Sequence, residues 1–408
     1  MRILFISSYF PDNLSTSIHG VYKRMSMFID AIKEIAEIDM LFFIDPENYK
    51  PGAEKDYQKE FSKHWDTEIN LYLCPRAEFK EEDEIRKWLS LGAGIFSFYK
   101  QRGRIEYSGS EQLEALEKCL DRDHCAIFAH RLSAMCPLLL TEKSLPPVFF
   151  DLDDIEHVVF KRYIKNRKNL RSNLLNLLLP SLTKGEYEAV KLATKTFVCS
   201  EYDRQYLTEK FKLPGIVVVP NSINIPKLEP LTKEPNMLFL ASDYDPNVQA
   251  AEFLIQEIWP SVINKVPIAK LIIAGIDPDK FNFNQSDIPG LELPGFVEDL
   301  DSLYKQTRLT IVPMLVGGGT RFKIVESAMY GKPTVSTSLG AEGIELSDPN
   351  EILIHDTPES ISGACVELLK NFELSEKIGL AARKKAKELY DRKNVVNSVK
   401  THISNSLK

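Results

Sequence analysis

The chain has 408 residues, more than one hydrophobic core usually supports, so two domains of roughly 200 residues each are expected. Hydrophobic residues make up 44% of the chain and charged residues 27%, which is typical of globular proteins and excludes a disordered or fibrous class. The net charge of −7 argues against a general nucleic-acid-binding protein, because such a surface needs a basic excess to displace counterions from phosphates.

The first apolar run and the cysteines bear on cellular location. Residues 3–10 are mostly apolar, but the run is short and Pro11 interrupts it, which predicts a buried strand and not a signal peptide. No window reaches the roughly 18 apolar residues that span a bilayer. The six cysteines form no Cys-x-x-Cys pair and lack the histidine spacing of a zinc site, so neither a disulfide framework nor a metal site is indicated. We expect a cytoplasmic protein whose membrane contact, if any, is peripheral.

Short apolar, β-branched runs alternate with helical stretches along the whole chain. In the first half these runs lie at 3–7, 38–44, 69–73, 126–129, 148–151, 196–200 and 216–219. In the second half they lie at 237–242, 271–274, 291–293, 309–313, 334–337 and 352–354. This alternation is typical of parallel sheets wrapped by helices, so two doubly wound α/β domains are predicted.

A cluster of prolines and turn-forming residues separates the two series. It comprises residues 220–226 together with Pro230 and Pro235. We place the boundary there, which gives an N-terminal domain of residues 1–225 and a C-terminal domain of residues 226–389. Doubly wound sheets bind ligands beyond the carboxyl ends of their strands, so two of them facing each other would form a cleft for a nucleotide.

One stretch of the N-terminal half is strongly basic. Residues 161–171 carry six cations, and the apolar run 174–179 follows directly; the cations are Lys161, Arg162, Lys165, Arg167, Lys168 and Arg171. Two interpretations remain open. The stretch is either a solvated helix face followed by a core helix, or a surface that contacts anionic lipid or an acceptor phosphate peripherally.

The densest motif begins where a strand ends at Pro313. Residues 313–335 read Pro-Met-Leu-Val-Gly-Gly-Gly-Thr-Arg-Phe-Lys-Ile-Val-Glu-Ser-Ala-Met-Tyr-Gly-Lys-Pro-Thr-Val, and a helix is expected over 320–330. Unshielded glycine N–H groups at a helix N-terminus form an anion site. Arg321 and Lys323 add two cations, which suits a pyrophosphate carrying about two negative charges. Glu326 follows one turn later, where its carboxylate could accept hydrogen bonds from a ribose diol; the alternative is a flexible loop beside a surface pair of Arg321 and Glu326.

Together with Pro-Asn-Ser-Ile-Asn at 220–224 and Gly-Phe-Val-Glu-Asp-Leu at 295–300, this motif resembles the C-terminal domain of family 4 glycosyltransferases. It is most similar to the bacterial branch whose donor loop reads Gly-Gly-Gly-Thr-Arg-x-Lys. The resemblance implies the GT-B fold, with two Rossmann-like domains facing across a cleft and a C-terminal helix, at about 390–408, that packs back on the N-terminal domain.

The resemblance also implies an activity. A retaining hexosyltransferase (EC 2.4) would move a sugar from a nucleotide-diphosphate-sugar to a saccharide or lipid-linked acceptor, commonly in cell-envelope or exopolysaccharide synthesis. It would need no metal and no cofactor besides the donor substrate. The leaving phosphate would take the acceptor proton during same-face attack, so no carboxylate nucleophile is required.

Site residues follow from the same resemblance. The donor site would comprise Gly317, Gly318, Gly319, Thr320, Arg321, Lys323, Glu326, Asp243, Asn247, Phe296 and Val297. The acceptor side would comprise His19, Gly20, Arg24, Asp151 and Asp153. Because they follow a strand at the same edge, Asp151 and Asp153 are acceptor-side or general-base candidates, as are Asp154, Glu156 and His157. His130 would lie near the reacting sugar, and Arg321 and Lys323 would stabilise the departing diphosphate, so these three are the catalytic candidates.

Two departures from the family pattern concern the sugar contacts and the positive charge of the donor site, and Arg321 and Lys323 are expected to supply the missing charge. The first of the family's two motif glutamates would fall at Gly318, and the loop 242–247 lacks the usual Arg and Lys. Three alternatives stay open: a nucleotide-sugar 2-epimerase of the same architecture, a non-catalytic protein that keeps the fold, and a magnesium site at Asp151-Leu-Asp153. A dinucleotide-dependent oxidoreductase is disfavoured, because no Gly-x-Gly-x-x-Gly follows either leading strand.

Overall fold

The computed structural model describes residues 1–11, 14, 20–76, 92–101, 105, 109–166 (residue 166 by its backbone only), 174–283 and 285–407. The chain forms two compact units: Met1–Pro220 with Asn394–Lys408, and Asn221–Lys393. The boundary therefore lies slightly earlier than the predicted 225/226. The reason is a contact distant in sequence: Ile223 N donates to Tyr390 O at 3.2 Å, and Arg392 N donates to Ile223 O at 3.0 Å, which ties this segment to the C-terminal unit.

The N-terminal unit contains a parallel sheet whose seven described strands run in the order β3-β2-β1-β4-β5-β6-β7. The strands are β1 (Arg2–Ser7), β2 (Glu37–Ile44), β3 (Ile69–Pro75), β4 (Ala126–His130), β5 (Val148–Leu152), β6 (Lys195–Val198) and β7 (Ile216–Val218). The central strands β1, β4 and β5 are buried along almost their whole length, because helices cover both faces of the sheet, and their polar residues lie near the strand ends.

The helices of this unit connect successive strands. They are α1 (Gly20–Lys33), α2 (Glu54–Trp65), α3 (Ser110–Leu120), α4 (Leu132–Leu140), α5 (Glu156–Asn166), α6 (Leu179–Leu192) and α7 (Glu201–Phe211). Short 3₁₀ turns cover Phe98–Lys100 and Asn176–Leu178.

The C-terminal unit contains a second parallel sheet, with the order β10-β9-β8-β11-β12-β13 among its described strands. The strands are β8 (Asn236–Leu240), β9 (Lys270–Ala274), β10 (Leu291–Gly295), β11 (Leu309–Val312), β12 (Thr334–Ser336) and β13 (Leu353–Ile354). In each sheet the order reverses beside the first strand, which is the doubly wound pattern.

The helices of the second unit are α8 (Asp245–Phe253), α9 (Trp259–Lys265), α10 (Leu300–Lys305), α11 (Phe322–Met329), α12 (Pro358–Lys370) and α13 (Phe372–Leu389). A π-helical turn, Leu254–Ile258, joins α8 to α9, and 3₁₀ turns cover Pro278–Lys280 and Gln285–Asp287.

The last helix, α14 (Arg392–Ser406), belongs almost entirely to the N-terminal unit. Val399 and Ile403 on this helix are fully buried in the same apolar cluster as Phe128 and Phe197 of the sheet. Helix α14 thus completes the hydrophobic core of the N-terminal unit. No helix in the described part of the chain is both long and apolar enough to cross a membrane.

Candidate functional site

The loop that carries the glycine motif lies at the carboxyl edge of the second sheet, between β11 and α11. Helix α11 begins at Phe322, slightly later than the predicted 320. The cause is local: Asn221 Nδ2 donates to Thr320 Oγ1 at 2.8 Å and to Thr320 O at 3.3 Å, and Arg321 has extended dihedrals of φ −84° and ψ 103°. Thr320 is therefore held as part of the loop, and the helix starts beyond Arg321.

The backbone of this loop requires glycine at two positions. Gly317 has φ +116° and Gly319 has φ +67°, in the region where side chains are strained. A Cβ at residue 317 would also lie 2.9 Å from Arg321 Nη2. The loop conformation and the arginine position are thus mutually dependent. Nη1 of Arg321 donates to the carbonyl of Gly318, which closes the loop on itself.

Lys323 joins this loop to the one after β8. Its Nζ donates to Asn247 Oδ1 at 2.9 Å and lies 4.5 Å from the centroid of the Phe239 ring. Asn247 Nδ2 in turn donates to Ser242 Oγ at 3.0 Å. Burial, reinforced by the neighbouring Arg321 charge, lowers the pKa of Lys323 to about 7, although Glu326 opposes that shift. The Lys323 ammonium thus contacts the loop after β8, residues 242–247, which contains no Arg or Lys.

Glu326 lies one turn further along α11 and is only 5% exposed. Burial, with contributions from the charges of Glu326 and Tyr330, raises the pKa of the fully buried Tyr304 of α10 well above its usual value. The Tyr304 ring stacks on that of Tyr330 at 4.1 Å between centroids, and Tyr330 OH donates to Asp301 Oδ1 at 2.5 Å. Sequence reasoning missed Tyr304 because nothing in its local pattern distinguishes it from a core aromatic.

The other predicted donor residues lie on loops at the same edge of this sheet. Asp243 Oδ1 accepts from Asp277 N at 2.8 Å and so links the loops after β8 and β9. Phe296 follows Gly295, whose φ is +67°, and its side chain is 58% exposed. Val297 packs against the small cluster that contains Tyr304. Asp243 thus supports the loop structure, while Phe296 presents an aromatic face to solvent.

The N-terminal unit places Arg24 and Asp151 against each other in its core. Arg24 Nη2 lies 2.6 Å from Asp151 Oδ1, Arg24 Nε lies 2.9 Å from the same oxygen, and Arg24 Nη1 donates to Val219 O at 2.9 Å. Both side chains are fully buried. Although burial opposes ionisation, the Asp151 carboxylate raises the pKa of Arg24 above its usual value. Arg24 and Asp151 are thus paired with each other in the core of the N-terminal unit. Their expected acceptor-side roles stay a prediction.

His130 ends β4, and its registered neighbours are Ser7 on β1 and Asp151 on β5. Its Nδ1 lies 2.8 Å from Ser7 Oγ. Its Nε2 is buried without a hydrogen-bond partner among the described residues and lies 3.9 Å from Asp151 Oδ2. Burial, together with the charges of Arg131 and Arg24, lowers the pKa of His130 well below its usual value, so the ring is neutral at physiological pH.

The remaining acceptor-side candidates are spread around this edge. Asp153 retains 14% exposure, and its Oδ1 lies 3.6 Å from Arg24 Nε. Gly20 is the first residue of α1. His157 points elsewhere, into contacts with Glu186 and Tyr206. His19 and the distal part of the basic stretch, Arg167, Lys168 and Arg171, lie outside the described residues. Among the residues described, no three His, Cys, Asp or Glu side chains are grouped so that they could hold a metal ion.

Part of the chain matches a known family model. Residues 234–371, most of the C-terminal unit and all of the glycine loop, match the family model described as Glycosyl transferases group 1. Over 174 residues the chain is 26% identical to a protein of Klebsiella pneumoniae named as an uncharacterized 44.6 kDa protein in the cps region. That match spans 40% of this chain and 45% of the relative, which is less than half of the relative's length.

Solved structures match over the whole chain. Sucrose-phosphate synthase from Thermosynechococcus elongatus superposes with a TM-score of 0.72 at 13% identity, covering 99% of this chain and 98% of that one. A mutant of TarM from S. aureus, in complex with fondaparinux, alpha-GlcNAc-glycerol and UDP, superposes with a TM-score of 0.70 at 11% identity, covering 100% and 99%. The chain accordingly has the GT-B fold, with two Rossmann-like α/β domains.

Proposed function

We propose that this chain is a glycosyltransferase whose C-terminal unit binds a nucleoside-diphosphate sugar. One observation carries the proposal: the glycine loop precedes α11 at the carboxyl edge of the sheet, with Arg321, Lys323 and the buried Glu326 in or beside the first turns of that helix. This arrangement lies inside the segment that matches group 1 glycosyl transferases. Other proteins of this fold include the TarM mutant with bound UDP, which supports the same donor class.

The chemistry of the donor fits the loop in three parts. A diphosphate carries about two negative charges and is favoured at a helix N-terminus, where backbone N–H groups lack helical partners. Arg321 and Lys323 add charge-assisted hydrogen bonds on either side of Phe322, the first residue of that helix. Glu326, a turn away from the cations, is proposed to accept the ribose hydroxyls. Gly318 leaves no carboxylate at the place of the family's first motif glutamate, so sugar recognition depends on other groups.

The proposed transfer proceeds with retention of configuration. Breaking the bond between sugar and phosphate places negative charge on the diphosphate, and preorganised cations stabilise that charge in the transition state. The acceptor hydroxyl attacks the anomeric carbon on the same face of the sugar from which the diphosphate leaves. The leaving phosphate takes the proton of that hydroxyl. The neutral His130, with an unpartnered Nε2, is proposed to position a sugar hydroxyl in the N-terminal unit.

We further propose a saccharide or lipid-linked acceptor and a role in polysaccharide synthesis. The name of the Klebsiella relative places it in a cps region, and the TarM mutant is bound to saccharide ligands as well as UDP. Both facts belong to those proteins and serve here as support for the acceptor class.

Thermal-shift and calorimetric titration with UDP, GDP and their sugar derivatives test the donor site. We expect one nucleotide series to stabilise the protein, and Glu326→Gln and Lys323→Met to remove that stabilisation. Glu376→Gln and Lys377→Met, on the exposed surface of α13, are matched controls that should bind normally. If no nucleotide binds to the folded protein, the proposal fails.

Incubating the bound donor without an acceptor separates the remaining alternatives. A transferase yields at most slow hydrolysis, and adding an acceptor yields a glycosylated product with the donor's anomeric configuration. Conversion of the sugar to its 2-epimer would identify an epimerase instead. Nucleotide binding without either reaction would identify a non-catalytic protein of the same fold.

A further inference from the structure

A groove of about 890 Å³ opens on the N-terminal unit between α5, α6 and α7. Five cationic side chains line it, and among its described lining residues there is no carboxylate; the cations are Lys161, Arg162, Lys165, Lys184 and Lys210. This concentration is unusual for a chain with a net charge of −7. The groove is thus a local positive field on an acidic protein, which favours an anionic ligand.

Most of this charge is not used by the fold. Lys161, Lys165 and Lys184 form no ion pair or hydrogen bond with any part of the chain that the structure describes. All three side chains are exposed. A cation that stabilises a fold normally contacts a carboxylate or a helix C-terminus, so these ammonium groups are available to a ligand.

Aromatic rings form the walls between the cations. Tyr187 packs edge-on against Phe211, with ring centroids 5.5 Å apart and planes inclined by 80°. The Tyr202 ring, on α7, is 51% exposed and therefore accessible to a ligand. Flat aromatic faces with polar tips suit the faces of sugar rings, which combine C–H groups with hydroxyls.

One ring of the wall is fixed by hydrogen bonds from both sides. The Tyr206 hydroxyl lies 2.9 Å from His157 Nε2 and accepts from Lys210 Nζ at 3.3 Å. His157 Nδ1 is bonded to the carboxylate of Glu186, which is completely buried. The chain Glu186, His157, Tyr206 and Lys210 therefore holds this wall in place before any ligand arrives, which lowers the entropic cost of binding.

We infer that this groove binds a saccharide chain bearing acidic groups, either carboxylates or phosphates. The aromatic walls would contact sugar rings while the lysines contact the anions. Its concave form suits a chain better than a flat bilayer surface, although both are anionic. The inference stands independently of the donor site, because every residue that carries it lies in the N-terminal unit.

Calorimetric titration with hexagalacturonate, maltohexaose phosphorylated at its reducing end, and neutral maltohexaose tests the inference. We expect one or both acidic oligosaccharides to bind and neutral maltohexaose to bind at least about tenfold more weakly, with affinity that falls as salt rises. The two acidic probes separate carboxylate from phosphate recognition. Equal affinity for all three probes, or binding of none, would overturn the inference.

Variants locate the site. Lys161→Glu and Lys184→Glu should each weaken the acidic probe roughly tenfold, since reversal replaces an attraction with a repulsion. Tyr202→Ala should weaken it by removing a stacking face without changing the charge. Lys59→Glu, on the exposed surface of α2, makes the same change in net charge and should bind normally. If Lys59→Glu weakens binding as much as the groove variants do, the site assignment is wrong.

Two further measurements keep the outcome specific. Sedimentation with vesicles of equimolar phosphatidylcholine and phosphatidylglycerol tests the membrane alternative. The saccharide assignment would be overturned if the protein binds these vesicles but not hexagalacturonate, and if the groove variants abolish vesicle binding. UDP titration of every groove variant should be unchanged. If the unaltered protein does not bind UDP, the proposed donor site is contradicted, whereas the inference about the groove is unaffected.

Discussion

Cations stand at the carboxyl edges of both sheets, but in opposite electrostatic surroundings. In the N-terminal unit Arg24 meets Asp151 in a multiply bonded, fully buried pair. In the C-terminal unit Arg321 and Lys323 lie near each other. Burial and the Arg321 charge lower the pKa of Lys323, and the Glu326 carboxylate offsets this shift only in part. The first cation has its pKa raised and the second has it lowered to about 7. A raised pKa marks a charge that the fold already satisfies, whereas a lowered one marks a charge that an arriving anion would satisfy.

The largest effect on the free energy of unfolding is expected when Arg24, the cation of the buried pair, is replaced. Arg24→Met should lower the free energy of unfolding by about 3–5 kcal/mol, because it leaves the Asp151 carboxylate buried without a counter-charge. Urea denaturation followed by circular dichroism measures this loss. The double variant Arg24→Met/Asp151→Leu should recover most of it, and Arg321→Met should cost only about 1 kcal/mol. If Arg24→Met and Arg321→Met lower the free energy of unfolding equally, the proposed difference between the two cations is wrong.

The reverse pattern is expected for ligand binding. Lys323→Met should weaken UDP binding by about 2–3 kcal/mol, which is the strength of a charge-assisted hydrogen bond to a phosphate. The same variant should unfold at a similar urea concentration, since it removes a charge that burial disfavours. Calorimetry with UDP measures the effect, and Lys377→Met is the control. Normal UDP affinity in Lys323→Met would remove this residue from the donor site.

His130 provides an intermediate case, because it is buried like Arg24 but keeps an unpartnered nitrogen. His130→Asn should lower the rate of transfer by about 10- to 100-fold, the range for a lost positioning or proton-transfer group. UDP affinity should not change, since this residue lies in the other unit. A steady-state assay measures kcat, and circular dichroism confirms folding. Unchanged kcat would assign His130 to the core alone.

The pH dependence of donor binding follows from the lowered pKa of Lys323. In the free protein this group is half protonated near pH 7, and a bound diphosphate favours the charged form. Binding therefore takes up a proton above pH 7, and affinity should fall by up to about tenfold per pH unit as pH rises above 7. Calorimetry at pH 8 in buffers of different ionisation heats measures the uptake. Lys323→Met should show none, and an affinity that does not vary with pH would contradict the assigned role.

The smallest expected effect is that of chelation. If cations of the chain alone hold the diphosphate, EDTA should leave the rate of transfer unchanged within about twofold, whereas a two-carboxylate magnesium site would lose its activity. A steady-state assay before and after dialysis against EDTA measures this. Activity restored by magnesium would revive the alternative at Asp151 and Asp153.

Local patterns predicted the fold, whereas contacts between residues distant in sequence could not be predicted. Apolar runs gave both parallel sheets because fully buried strands have a strong signature of their own. Helix α11 was also predictable, since the residues from the glycines to Glu326 follow one another along the chain. The donor-binding role of Glu326 stays a prediction. The Arg24–Asp151 pair was not predictable, because 127 residues separate its members and each looks like a ligand-binding residue when considered alone.

The same limit applies to the domain boundary and to the groove. The contact of Ile223 with Tyr390 moved the boundary, and no local feature of either residue indicates it. The groove gathers cations from three helices, and only the α5 cations belonged to a visible basic stretch. The electrostatic effect of Glu326 on Tyr304 was missed for a related reason, since only the fold brings it about.

The position of α14 has a consequence for how the protein is made. Val399 and Ile403 fill the core of the N-terminal unit, so that unit cannot finish folding on the ribosome until α14, which follows the whole C-terminal unit in sequence, has emerged. The C-terminal unit, whose residues 221–393 are continuous, can fold first. The half of the protein that is synthesised earliest is therefore completed last, and until then its sheet exposes the apolar surface that this helix will cover.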